Sequence, residues 1–91
     1  MSYNILDMIQ NGAKIVDVRT PGEFAGGSYP GSVNIPVDEV EARIDEFGDK
    51  SGGIIVYCAS GGRSGMAENI LRGAGYTNVV NGGGIASMPR A

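Results

Sequence analysis

IIVYCASGGRSGMAENI, running from Ile54 to Ile70, sets three kinds of backbone end to end. Ile54 to Tyr57 is a short apolar run rich in β-branched residues, the pattern of a strand buried on both faces, and it is expected at the centre of a sheet. Gly61 and Gly62 then admit backbone conformations closed to other residues. Ser64 to Ala74 places Met66, Ala67, Ile70 and Leu71 on one helical stripe, with Gly75 as its stop. The one cysteine of the chain, Cys58, falls where the strand gives way to the glycine loop.

The flanking sequence repeats this alternation. Ser2 is expected to cap a helix from Tyr3 to Asn11, with Ile5, Met8 and Ile9 on one face and Gly12 ending it. Lys14 to Val18 reads as a second buried strand. Pro21 suits the first position of a one- or two-turn helix reaching Ala25. Ser32 to Ile35 reads as a brief strand ended by Pro36. Asp38 is expected to cap a helix to Phe47, where Val40, Ile44 and Phe47 share a face. Asn78 to Val80 is a further short strand, followed by a glycine turn and one helical turn. Strands alternating with helices predict a three-layer α/β/α domain over residues 1–91, with a mainly parallel central sheet of four to five short strands.

Composition narrows the chemistry. In 91 residues there is room for about one small domain. One cysteine excludes an intramolecular disulfide or a C-x-x-C redox pair, and without histidine the usual zinc-ligand sets cannot be assembled, so neither a metal nor another cofactor is expected. MSYNILDMIQNG has neither a basic start nor an apolar core, so no signal peptide or membrane span is read there. A reduced, cytoplasmic chain is the simplest reading, with a processed periplasmic form as the alternative. The net charge of −3 is unevenly spread. Asp38 to Asp49 holds six acids against Arg43, whereas Lys50 to Ala91 holds four bases against Glu68. The half with Cys58 is therefore basic, which suits a small anionic substrate. No Lys/Arg stripe with interleaved aromatics marks a nucleic-acid surface.

In an open α/β sheet, ligands bind beyond the carboxyl ends of the strands, where Cys58 lies. Its thiol reads either as a packed small hydrophobe or as a nucleophile. The second reading gains from the context: turned-in N–H groups of the loop, the N-terminus of the following helix and Arg63 all favour a thiolate without a histidine base. Taken singly, Gly61 and Gly62 can be a plain turn, Arg63 a solvated charge and Ser64 a helix cap.

IVDVRTPGEF (Ile15–Phe24), PGSVNIP (Pro30–Pro36), YCASGGRS (Tyr57–Ser64), GAGYTNV (Gly73–Val79) and NGGGIASM (Asn81–Met88) resemble, in order and spacing, the successive motifs of the rhodanese (thiosulfate sulfurtransferase) family. The small phage-shock-type members are nearest in length. The resemblance implies a rhodanese-like α/β fold and a double displacement without cofactors. Cysteine attacks the outer sulfur of thiosulfate, sulfite leaves, and the persulfide passes its sulfur to a thiophile such as cyanide, a small thiol or a protein thiol. Carried over by residue, Cys58 becomes the nucleophile. Ala59, Ser60, Gly61, Gly62 and Arg63 become the anion-holding loop, with Arg63 on the departing sulfite. Ser64 becomes the hydroxyl that closes the loop, caps the helix and donates to the sulfur. Asp17 matches a buried brace, and Arg19 a bracing or substrate-facing residue, with Glu23 expected to pair with Arg19 four residues back.

Two positions depart from the family pattern. Within Gly27–Ser32, Ser28 stands where many members have a histidine, and Met88 stands where many have a tryptophan. Within the resemblance, four residues between Cys58 and Arg63 make a six-position cradle that goes with sulfur transfer. Related phosphatases and arsenate reductases use five intervening residues. Alternative readings are a cysteine-dependent phosphatase or arsenate-type enzyme, and a non-catalytic rhodanese-like module that binds a partner or carries its sulfur.

Overall fold

Local sequence sets most element boundaries in the computed structural model, which describes residues 4–90. Helix α1 spans Ile5–Gln10 and is capped by Asn4, whose side chain accepts from the backbone N–H groups of Leu6 and Asp7. The expected cap Ser2 lies outside the described residues. Strand β1 is Lys14–Asp17 and helix α2 is Pro21–Ala25. Thr20 caps α2 in a reciprocal box with Glu23, and Pro21 takes the first position, where a missing N–H costs nothing. Strand β2, Val33–Asn34, is very short. Strand β3 is Ile54–Cys58, helix α3 is Gly62–Gly73, and strand β4 is Val79–Gly84. A 3-10 turn at Ile85–Ser87 follows.

One expected element is different. Between Asp38 and Phe47 there is no α-helix capped by Asp38, but two 3-10 turns, Val37–Glu39 and Ile44–Phe47. Arg43 departs from helical geometry at φ −110°, ψ 27° and breaks the run between them. Its guanidinium grips Glu39 and Glu46 together, while the Tyr76 hydroxyl ties down the carbonyls of Ile44 and Gly48. Val40 and Phe47 are still both buried, so the apolar spacing serves the core through a tighter path.

The sheet has four strands in the order β2-β1-β3-β4, all parallel. β1 and β3 pair without interruption from Lys14 opposite Ile54 to Asp17 opposite Tyr57. Side chains alternate across it. Val16, Val18, Ile54, Val56 and Cys58 join Val40, Phe47, Ala67 and Leu71 in a core between the sheet and α3 with the 3-10 turns. Ile15, Ile55 and Tyr57 face the other way, onto α1 and the C-terminal turn. Met88, one of the two departures from the family pattern, packs in that second cluster with Tyr29, whose hydroxyl donates to the Pro89 carbonyl beside Met88; Ser28, the other departure, is exposed.

After β1 the chain goes outward to β2, and after β3 outward in the opposite direction to β4. The strand order therefore reverses between β1 and β3, and a crevice is expected beyond their carboxyl ends. Asp17 and Cys58 close those two strands.

Candidate active site

Cys58 is almost wholly buried and is the last residue of β3. The chain then turns back on itself. Gly61 sits at φ +101°, a left-handed conformation that glycine adopts without penalty, and points its N–H at Cys58 Sγ from 2.9 Å. Helix α3 starts at once, with Gly61 as its N-cap residue. Ser64 is therefore not the cap expected from the sequence. It lies in the first turn, buried, with Oγ 3.4 Å from Cys58 Sγ.

These neighbours set the acidity of the thiol. Burial pushes Cys58 up, but hydrogen bonds from the Ser64 hydroxyl and from the backbone N–H groups of Ser64, Ser60 and Gly61 together outweigh it. The result is a thiol lowered to about 7. The positive end of the twelve-residue α3 acts in the same sense.

Asn81, which sequence reasoning did not single out, completes the cradle. Its Oδ1 accepts from Ser64 Oγ at 2.6 Å and from Gly83 N at 2.8 Å, while its Nδ2 donates to the Gly61 carbonyl at 3.2 Å. It can do so because β4 carries one extra residue beside the cysteine: Val56 is opposite Asn81, but Cys58 is opposite Gly84. Such a bulge redirects side chains locally. The visible signal was a lone amide between a β-branched pair and three glycines.

Arg63 is half exposed and bidentate on Glu23, with Nη1 to Oε1 at 2.7 Å and Nη2 to Oε2 at 3.1 Å. Glu23 thus pairs across the loop with Arg63, not with Arg19. The Arg63 guanidinium and then the Thr20 N–H hold its carboxyl down at about 2. Arg19 turns instead onto the buried Asp17, through Nε at 3.0 Å and Nη2 at 2.6 Å, and donates from Nη2 to the Gly27 carbonyl at 2.7 Å. Tyr57 Oη also donates to Asp17, at 2.8 Å, and accepts from Tyr29 N at 2.9 Å. Asp17 and Arg19 are thus parts of a buried brace under the crevice, and Arg19 is only 7 % exposed. Of the residues expected at the site, Cys58, Ser60, Gly61 and Ser64 converge on the sulfur. Ala59 and Gly62 provide the backbone path between them, and Arg63 stands beside it with Glu23. Among the described residues, no three potential metal-ligating side chains cluster.

A family model for the rhodanese-like domain matches residues 3–87. The chain belongs to the rhodanese family. Among its relatives is thiosulfate sulfurtransferase PspE of Escherichia coli, 41% identical over 78 residues, covering 82% of this chain and 75% of that protein. A putative sulfur carrier protein, YrkF of Bacillus subtilis, is 39% identical over 67 residues, which span 74% of this chain and 36% of that one. Among solved structures, a rhodanese with anions from E. coli superposes with a TM-score of 0.80 at 40% identity, covering 86% of this chain and 95% of that one. The four-stranded parallel sheet with its helices is thus the rhodanese fold, as the resemblance implied. No helix of this rhodanese among the described residues is long and apolar enough to cross a membrane.

Proposed function

We propose that this rhodanese is a sulfurtransferase that moves sulfane sulfur from thiosulfate, or a similar small anionic donor, through a persulfide on Cys58. The observation that carries the reading is the buried Cys58 sulfur at a strand end, held by the Gly61 N–H and the Ser64 hydroxyl. The Cys58 thiolate attacks the outer sulfur of thiosulfate and forms a new S–S bond. The old S–S bond breaks, and sulfite leaves with its electron pair. A thiophile such as cyanide, a small thiol or a protein thiol then takes the outer sulfur and regenerates the thiolate. Loop amides from Ala59 to Ser64 and the α3 terminus hold the anionic sulfur during both steps, and Arg63 draws on the sulfite oxygens. Asp17 and Arg19 support the strand ends on which the loop stands. Residues 1–91 act as one rhodanese domain with neither metal nor other cofactor, and a reducing, cytoplasmic setting suits a working thiol.

Intact-mass measurement tests the reading. Thiosulfate is expected to add the mass of one sulfur to the wild type, and cyanide to remove it. No adduct, or one that survives Cys58→Ser, sinks the proposal. The likeness to a putative sulfur carrier favours a second reading, in which the persulfide goes to a protein and not to a small thiophile. A persulfide that resists cyanide but passes to a protein thiol would select it.

A further inference from the structure

The end of the Arg63 guanidinium that would take an anionic donor already holds an anion. Both terminal nitrogens face the Glu23 carboxylate, one oxygen each, in the parallel geometry with which arginine binds sulfonates and phosphates. Glu23 is itself held in place. Its Oε1 accepts from Thr20 N at 3.0 Å and from Thr20 Oγ1 at 3.1 Å, within the box that caps α2. The carboxylate is thus presented to Arg63 from a fixed helix terminus, and both partners are half exposed, so the pair can open to a ligand.

We propose that Glu23 is a built-in competitor for Arg63 and sets which donors the cradle prefers by their charge. The proposal rests on the sulfurtransferase reading and deepens it. With the pair closed, the guanidinium charge is cancelled, and an incoming donor relies on the loop amides and the α3 terminus. While Glu23 stays paired, the donor forgoes the attraction of a free guanidinium, and the attraction forgone grows with the charge on the donor. A monoanionic donor is therefore less disadvantaged than a dianionic one.

Two donors with the same transferable sulfur separate the effect. Thiosulfate is a dianion that releases sulfite, and methanethiosulfonate is a monoanion that releases methanesulfinate; each loses one S–S bond as Cys58 gains one. The measured quantity is the second-order rate constant for persulfide formation on wild type and Glu23→Gln. Glutamine keeps an oxygen for Thr20, so α2 retains its cap, and circular dichroism checks that it does. Removing one negative charge acts on the donors in proportion to their charge. If the gain for the monoanion is about threefold, the gain for the dianion is its square, about tenfold. Any change in Cys58 acidity affects both donors alike and cancels in their ratio.

Repeating the pair of measurements in an Arg63→Ala background decides the route. Release of Arg63 requires the Glu23→Gln gain to shrink there. A gain that persists in full means simple repulsion and overturns the proposal. Unchanged or slower sulfur transfer from both donors also overturns it, and makes Glu23 a residue that orients Arg63 for the donor. If the wild type takes sulfur from neither donor, the sulfurtransferase reading falls and this one with it. If it takes sulfur but Glu23→Gln shows no selectivity change, only this one falls.

Discussion

Cys58 and Ser64 show how much chemistry two side chains can share through one proton. The Ser64 hydroxyl has three acceptors in reach, Asn81 Oδ1 at 2.6 Å, the Gly61 carbonyl at 3.1 Å and Cys58 Sγ at 3.4 Å, and it can serve one at a time. Turning the proton to sulfur favours the thiolate. Alkylation of Cys58 by iodoacetamide is therefore expected to rise with pH through a midpoint near 7. In Ser64→Ala that midpoint should move up by about one unit, the worth of one hydrogen bond to a charged group. An unmoved midpoint would mean that the loop amides alone set the acidity. The same shift has a stability consequence. An unfolded cysteine ionises at about 8.5, so a folded value of about 7 makes the thiolate favour the folded state. That contribution is complete above the unfolded value and is lost as pH falls through 7. At this scale the sequence singles out Cys58, Arg63 and Ser64 as candidates because a thiol, two glycines and a guanidinium are unusual together. Asn81 was missed because an amide before glycines reads equally well as a turn.

Strand β4 is the element whose local irregularity matters most. The bulge opposite Cys58 lets Asn81 reach the loop and brings Gly84 against it. A Cβ at Gly84 would run into the Ala59 carbonyl oxygen and lie 3.1 Å from its carbon and 3.3 Å from Ser60 Cα, all backbone atoms that cannot rotate away. Gly84→Ala is thus expected to destabilise the fold by about 1–3 kcal/mol and to slow persulfide formation by displacing the cradle. Urea titration and the intact-mass rate measure the two effects. Gly82→Ala is a milder comparison, because its nearest obstacle is the end of the flexible Met88 side chain. Equal effects from both would show that the close approach to Ala59 is unimportant. From sequence, Asn78 to Val80 was legible as a strand from its β-branched pair. Its continuation to Gly84 was not, since glycines carry no strand preference, and the pairing with β3 resumes only at Gly84, past Gly83 at φ +82°. The segment Asp38–Phe47 failed for the opposite reason. Its apolar spacing is helical, but contacts from Arg43 and Tyr76 select tighter turns.

Across the whole molecule, one buried polar network ties the sheet to its loops. Asp17 on β1 binds Arg19 and Tyr57, Arg19 reaches Gly27, and Tyr57 on β3 accepts from Tyr29. The Tyr29 hydroxyl carries the connection to Pro89. Asp17→Ala would leave the buried guanidinium without its counter-charge, at an expected cost of about 3–5 kcal/mol, a large share of the roughly 5–15 kcal/mol that holds a small domain together. The urea midpoint should fall sharply, whereas persulfide formation per folded molecule should persist, because Asp17 and Arg19 touch each other and not Cys58. Loss of sulfur transfer at unchanged stability would move Arg19 into the donor site. By itself, the sequence determined the alternation of strands and helices, the parallel sheet and the place of Cys58 at a strand end. Those follow from short-range apolar patterns and glycine positions that every compact packing of this chain must respect. Only the tertiary structure decided which charges meet. Arg63 and Glu23 are forty positions apart, and they pair because the strand order reverses between β1 and β3, so that the loops leaving those strands face each other across the crevice.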